Sequence, residues 1–274
     1  MPSKKKLFFF FILISSTLSI YKLIKITVTA RSPSIRLPRI PCSPKYSPFV
    51  PHKLTRHPIF QEEEPLTLKE LNLLSSIIAR NQSRNLLFFG LNPQFLPLAE
   101  ANIGGSAIFL EDDFERIRKF HRKTYRNVAV HLVRYNGKAG NAYDLLKHGR
   151  EHKYCSRRAS KYVGISRCRL ALSSLPQEIY KKSWDVVVVD GPRGDKPEAP
   201  GRMAAIYTAA IIARMGSGTD VVVHDADRMI EKWYSWEFLC HENLFSVKGK
   251  LWHFRIEGSL QLDGFCSEKK VQVL

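Results

Sequence analysis

The chain has 274 residues, 44% of them hydrophobic and 11% aromatic, which excludes a disordered protein and leaves room for one medium domain or two small ones. The net charge is +18; residues 1–45 hold nine Lys or Arg and no acid, so the remainder keeps about +9. A basic folded part suits a polyanion, whether nucleic acid, anionic lipid or acidic polysaccharide, and composition does not choose among them.

Lys4, Lys5 and Lys6 precede an apolar run from Leu7 that continues through Lys22 and Lys25 to Val28. The two lysines can snorkel to the headgroups and lengthen the usable helix. A cleaved signal peptide and a mitochondrial presequence compete with a signal-anchor. The scarcity of Arg argues against the presequence, and the absence of a nearby small-residue cleavage site argues against the signal peptide. The expected order is a cytosolic tail over 1–6, a signal-anchor over 7–28 and a stem over 29–65, with the remainder in the lumen. The stem carries Pro33, Pro38, Pro41, Pro44, Pro48, Pro51, Pro58 and Pro65, which prevent a helix and read as a spacer. Asn81-Gln82-Ser83 is a glycosylation triplet, and five cysteines without a C-x-x-C pair fit two disulfides plus one left over. Scattered cytosolic thiols are the alternative. Pairing Cys155 with Cys168 and Cys240 with Cys266 would close two short loops.

From Leu66 to residue 258 helix and strand patterns alternate. Thr67–Arg80 has apolar residues at helical spacing, and Leu86–Leu91 is a buried strand ending beyond a glycine. Ala107–Leu110 is the next strand, followed by a charged helix over Phe114–Lys123 and a strand over Val128–Val133. Trp184–Asp190 contains four consecutive valines, the mark of a strand covered on both faces. Ala204–Arg214 reads as a helix, Asp220–His224 as a strand, and 228–239 as one helix. Leu244–Val247 and Leu251–Ile256 form a hairpin around Lys248-Gly249-Lys250. Together they predict a doubly wound α/β sheet, Rossmann-like, mostly parallel, with an antiparallel C-terminal hairpin and a tail over 259–274.

Ligands of such sheets bind beyond the carboxyl ends of the strands. Gly90 would let backbone approach a ligand, and the lack of G-x-G-x-x-G favours a cofactor without pyrophosphate; a tight turn is the plain alternative. Glu111, about twenty residues on, stands where a carboxylate would hold a ribose diol, with Asp112 and Asp113 as helix caps. Asp190 and Asp225 end adjacent strands and would face each other, sharing a proton or a divalent cation, while His224 adds a general base. Its plain reading is a hydrogen-bonded strand-end histidine. Arg193 and Arg202 flank the cleft and suit a uronate carboxylate, with surface salt bridges as the alternative.

Asp190-Gly191-Pro192-Arg193-Gly194, Ala199-Pro200-Gly201-Arg202-Met203, Val223-His224-Asp225, Glu237-Phe238-Leu239-Cys240 and Leu251-Trp252-His253-Phe254 resemble blocks of the plant glucuronoxylan 4-O-methyltransferase and irregular-xylem family. Asn85–Leu91, Phe109–Glu111 and Cys168–Leu172 fit as well, so the resemblance covers about residues 60–257. It departs at Asn92-Pro93-Gln94. The resemblance implies a Golgi membrane protein of type II topology, S-adenosylmethionine as donor, and methyl transfer to glucuronic acid on glucuronoxylan or arabinogalactan. It implies an acidic polysaccharide as partner rather than nucleic acid. A non-catalytic organiser of xylan synthesis is the rival within the family. A glycosyltransferase, from Asp225-Ala226-Asp227 as a D-x-D triplet, is the rival outside it.

Overall fold

The computed structural model describes residues 65–120, 125, 127–157, 164–258 and 264–267. The expected tail 1–6, the anchor 7–28, Cys42 and all of the stem except Pro65 lie outside the described residues. Among the described residues no helix is long and apolar enough to cross a membrane.

The first helix, α1 (Leu68–Ile78), starts at a capping box. Thr67 Oγ accepts from the Glu70 N–H, and Glu70 Oε2 accepts from the Thr67 N–H at 2.7 Å. Glu70 also accepts from the Lys250 N–H at 2.7 Å, which ties this helix start to the C-terminal hairpin. Seven strands follow: β1 (Asn85–Phe89), β2 (Ser106–Glu111), β3 (Val128–Leu132), β4 (Val186–Val189), β5 (Thr219–Val223), β6 (Leu244–Lys248) and β7 (Leu251–Ile256). They form one sheet in the order β3-β2-β1-β4-β5-β7-β6. The first five are parallel; β7 inserts antiparallel between β5 and β6. The predicted doubly wound sheet with an antiparallel hairpin is therefore the observed one.

Alternate residues of each strand feed two cores. On one face Leu86, Phe88, Val186, Val188 and Val222 meet Leu74, Ile77 and Ile78 of α1. On the other, Leu87, Phe89, Val187, Val189, Val221 and Val223 meet the long helix over Met203–Met215. That helix is buried nearly all round, which explains its continuous apolar sequence.

Several elements differ from expectation. The short helices α2 (Leu96–Ala101), α4 (Ala142–Glu151) and α5 (Gln177–Lys181) were not predicted, being too short or too charged for a clear apolar stripe. Between them stands α3 (Phe114–Lys119), shorter than the predicted 114–123. After α6 (Met203–Met215), the segment expected as one helix over 228–239 divides into α7 (Met229–Tyr234) and a π-helical turn over Ser235–Leu239. Cys240, at φ 74°, ends that turn and enters a disulfide with Cys266. Cys155 pairs with Cys168, so both expected bridges form.

Candidate functional site

The site lies where β1, β2, β4 and β5 end. Gly90 (φ +100°) follows β1 and packs against Gly191 after β4. A Cβ on Gly90 would stand 2.9 Å from the Gly191 nitrogen, and one on Gly191 would stand 2.8 Å from the Gly90 Cα. Both positions need glycine because two backbones touch at the mouth of the sheet.

Glu111 closes β2 with 2% exposure. Its Oε2 accepts from the Leu91 N–H at 2.7 Å, and its Oε1 from the Asp112 and Asp113 N–H groups at 3.1 and 2.9 Å. Arg116 Nη1 stands 3.8 Å away. Burial pushes its pKa up, partly offset by the Asp113 and Leu91 N–H groups and by Arg116. Glu111 thus joins the β1 and β2 exit loops, and its carboxyl also meets the Asp112 side chain. Asp113 caps α3 by accepting from the Glu115 N–H at 2.8 Å, as expected.

Beside it opens a cleft of about 800 Å³, walled by Glu111, Asp112, Arg116, Arg193, Glu198 and Pro200. Arg193 lies in this wall with its Nη2 3.0 Å from Asp195 Oδ2, so it is a cleft residue as expected. Tyr135, on the segment after β3, has a buried hydroxyl with no partner among the described residues. Burial and the nearby carboxylates of Asp112 and Glu111 push its pKa well up, against Arg202. An orphaned buried hydroxyl beside the strand-end acids is a polar group left for a partner outside the described residues.

Asp190, His224, Asp225 and Arg202 form one cluster at the ends of β4 and β5. Asp190 Oδ1 is 2.7 Å from His224 Nδ1, and its Oδ2 accepts from Asn92 Nδ2 at 2.8 Å. Burial alone would raise the Asp190 pKa, but the His224 hydrogen bond and the Arg202 charge outweigh it and lower it. Burial would lower that of His224, but Asp190, with help from Asp225, raises it above the ordinary value. His224 Nε2 points toward Asp225, 3.8 Å from its Oδ1. Asp225 holds the left-handed conformation (φ 55°) and its side chain is the most exposed of the four, at 14%.

Arg202 requires a correction. Expected at the cleft wall as a uronate ligand, it is 2% exposed. Its Nη1 donates to the His224 carbonyl at 2.7 Å and its Nε to the Pro192 carbonyl at 3.4 Å. Its Nη2 sits 3.0 Å from Asp225 Oδ2 and 3.7 Å from Asp190 Oδ1. It is the internal counter-charge of the two acids. The divalent cation expected between Asp190 and Asp225 does not fit this donor set, because the guanidinium fills the position a metal would take. The other close Cys-containing clusters, around Cys155–Cys168 and Cys240–Cys266, are disulfides and not ligand sets.

Sequence reasoning missed Asn92, Tyr135, Arg228 and Glu231. Arg228 Nη2 bridges Asp225 Oδ2 at 2.9 Å and Glu231 Oε1 at 3.2 Å, and burial raises the pKa of Glu231 against Arg202 and Arg228. The i,i+3 spacing of Arg228 and Glu231 was a readable signal of a paired acid. Nothing in the sequence tied Asn92 or Tyr135 to Asp190 or Glu111.

Residues 69–254 match the family described as IRX15/IRX15L/GXM. Arabinogalactan O-methyltransferase 2 of Arabidopsis thaliana is 33% identical over 247 residues, covering 87% of this chain and 83% of the relative. Glucuronoxylan 4-O-methyltransferase 1 of the same plant is 39% identical over 193 residues, covering 69% and 67%, and Protein IRX15-LIKE is 35% identical, covering 69% and 61%. Among solved structures, a methyltransferase-like protein from Silicibacter pomeroyi aligns with a TM-score of 0.42 at 16% identity, over 72% of this chain and 89% of its own. On the match through residues 69–254 and the relative shared over most of both chains, this chain belongs to the IRX15/IRX15L/GXM family.

Proposed function

We propose that this protein is an S-adenosylmethionine-dependent O-methyltransferase of cell-wall polysaccharide, acting on a hydroxyl of glucuronic acid in glucuronoxylan or arabinogalactan. The observation that carries the reading is the Asp190–His224–Asp225 cluster at the strand ends of a chain whose relatives are named for methyl transfer to these two polymers. The residues present suit the donor: the loops that leave β1 and β2 at Gly90 and Glu111 carry no phosphate cradle, and the orphaned Tyr135 hydroxyl beside them is a polar partner. S-adenosylmethionine supplies an electrophilic methyl group on a sulfonium centre. The protein's own work is then to aim the acceptor oxygen and remove its proton, since a sugar hydroxyl is a weak nucleophile at neutral pH.

Asp225, the exposed end of the cluster, takes the hydroxyl in hand. His224 Nε2 behind it receives the proton, and Asp190 holds the His224 ring through Nδ1 and stabilises the imidazolium. Asn92 and Arg202 keep Asp190 ionised and in place. Arg193, at the cleft wall, pairs with the uronate carboxylate. No step passes through a metal. The apolar run 7–28 and the stem 29–65 support a Golgi membrane anchor with this domain in the lumen, and the two disulfides agree with an oxidising compartment.

The test measures S-adenosylhomocysteine binding by calorimetry, then methyl transfer to glucuronoxylan and arabinogalactan side by side. Binding with transfer to one polymer bears the reading out. Binding without transfer favours the non-catalytic member of the family, and no binding rejects the enzyme.

A further inference from the structure

The end of the sheet opposite the site holds a second concentration of charge. Asp220, near the start of β5, is fully buried, and its carboxylate is surrounded by cations. Arg84 Nη1 is 3.2 Å from Oδ2, Arg255 Nη1 is 3.2 and 3.1 Å from the two oxygens, and Arg80 Nη1 is 3.4 Å from both. His253 Nε2 adds a contact at 2.9 Å. One carboxylate is satisfied by one guanidinium, and three within hydrogen-bonding reach repel one another. Arg84 is buried and serves Asp220 directly, whereas Arg80 and Arg255 are each 40% exposed and use Nη1 alone on it. Among the described residues the Nε–Nη2 edge of Arg80 and of Arg255 has no hydrogen-bond partner, and it is the edge suited to a bidentate carboxylate. Glu257 lies near Arg255 across Gly218, but no ion pair joins them.

An apolar platform adjoins these forks. Phe245 is 66% exposed on the edge strand β6, at the register shift between Leu244 and Ser246. Its ring centroid is 5.9 Å from the Arg80 Cζ and 5.3 Å from the His253 ring. An exposed aromatic face beside arginine forks matches one ligand chemistry on both sides: a sugar ring offers C–H groups to the aromatic face, and a uronate offers the carboxylate.

We propose that Phe245, Arg80 and Arg255 form an accessory binding site for a uronic acid residue of the acidic polysaccharide. Asp220, at its base, precedes Asp225 by five residues through β5, roughly 16 Å at about 3.3 Å per residue. The inference rests on the proposed acceptor class. A polymer carrying several uronates would be held here while another uronate is presented at the cleft, which raises its effective concentration there. A short acceptor with a single uronate gains nothing from this patch.

Full-length protein, enzymatically deglycosylated so that no glycan at Asn81 covers the patch, is run in native gels containing glucuronoxylan or unsubstituted xylan. Retardation is expected in glucuronoxylan alone. Phe245→Ser, which leaves the Asp220 network intact, and the double variant Arg80→Gln/Arg255→Gln should each weaken it by about fivefold or more, the effect of losing one such contact. The KM for polymer should rise with it, and that for a single-uronate oligosaccharide should not. Unchanged retardation in both variants, equal retardation by neutral xylan, or loss of binding only to anionic lipid vesicles would overturn the site. S-adenosylhomocysteine binding by the wild type decides the methyltransferase reading separately.

Discussion

Replacing Arg202 by Leu removes the buried guanidinium shared by Asp190 and the partly exposed Asp225. The variant loses contacts to Asp225 at 3.0 Å, Asp190 at 3.7 Å, the His224 carbonyl at 2.7 Å and the Pro192 carbonyl at 3.4 Å. Breaking a buried ion pair by deleting one partner costs about 3–5 kcal/mol when the other charge is left unpaired; Asp190 keeps His224 and Asn92 and Asp225 keeps Arg228, so the cost falls at the low end, about 3 kcal/mol. For a domain of this size that is a fall of roughly 6–12 °C in Tm. The loss depends on pH with a definite sign. Without the guanidinium the folded-state pKa of Asp190 rises, so the penalty is full at neutral pH and shrinks as acid protonates that carboxylate. Thermal unfolding of wild type and Arg202→Leu at pH 5 and pH 7.5 measures both parts. A variant within about 1 kcal/mol of wild type, impaired only toward uronate acceptors, would return Arg202 to the ligand role and refute its place as internal counter-charge.

Asp225→Asn should retain S-adenosylhomocysteine binding by calorimetry while methyl transfer falls roughly 10²-fold or more, because the acceptor hydroxyl loses the charged group that aims its proton at His224. Because Asp190 raises the His224 pKa above its ordinary 6.5, the rate should fall on the acid side with an apparent pKa above that value; Asp190→Asn should move this limb downward in a pH–rate profile. Tyr135→Phe should leave the Tm of the ligand-free protein unchanged or higher, since it deletes an unpaired buried hydroxyl, yet weaken S-adenosylhomocysteine binding by about three- to tenfold. Reduction should release four thiols and destabilise the domain by about 3 kcal/mol per bridge, given loops that span 13 and 26 residues; peptide mapping under non-reducing conditions checks the pairing.

The Asn92 amide shows why part of the site was hidden. It reaches Asp190 across 98 residues of sequence, through the contact of the β1 and β4 ends. Tyr135 likewise follows β3 in a stretch without regular pattern, and only the folded sheet brings its hydroxyl near Glu111 and Asp112. Asp190, His224, Asp225 and Glu111 were readable because each is an ionisable residue closing an apolar strand, a position that the parallel sheet sends to one edge.

Local composition determined the strands. Four valines in a row cannot be half-exposed, so Val186–Val189 had to be central and parallel, and the glycine-centred hairpin had to close the sheet antiparallel. It also determined which residues are charged at the strand ends, but not how their charges are balanced. Arg202 stands at the start of α6 in the sequence and reads as a surface cation beside a cleft. Only the packing of that helix against β4 and β5 turns it inward, because the buried Asp190 carboxylate and its neighbour Asp225 need a counter-charge at the strand ends.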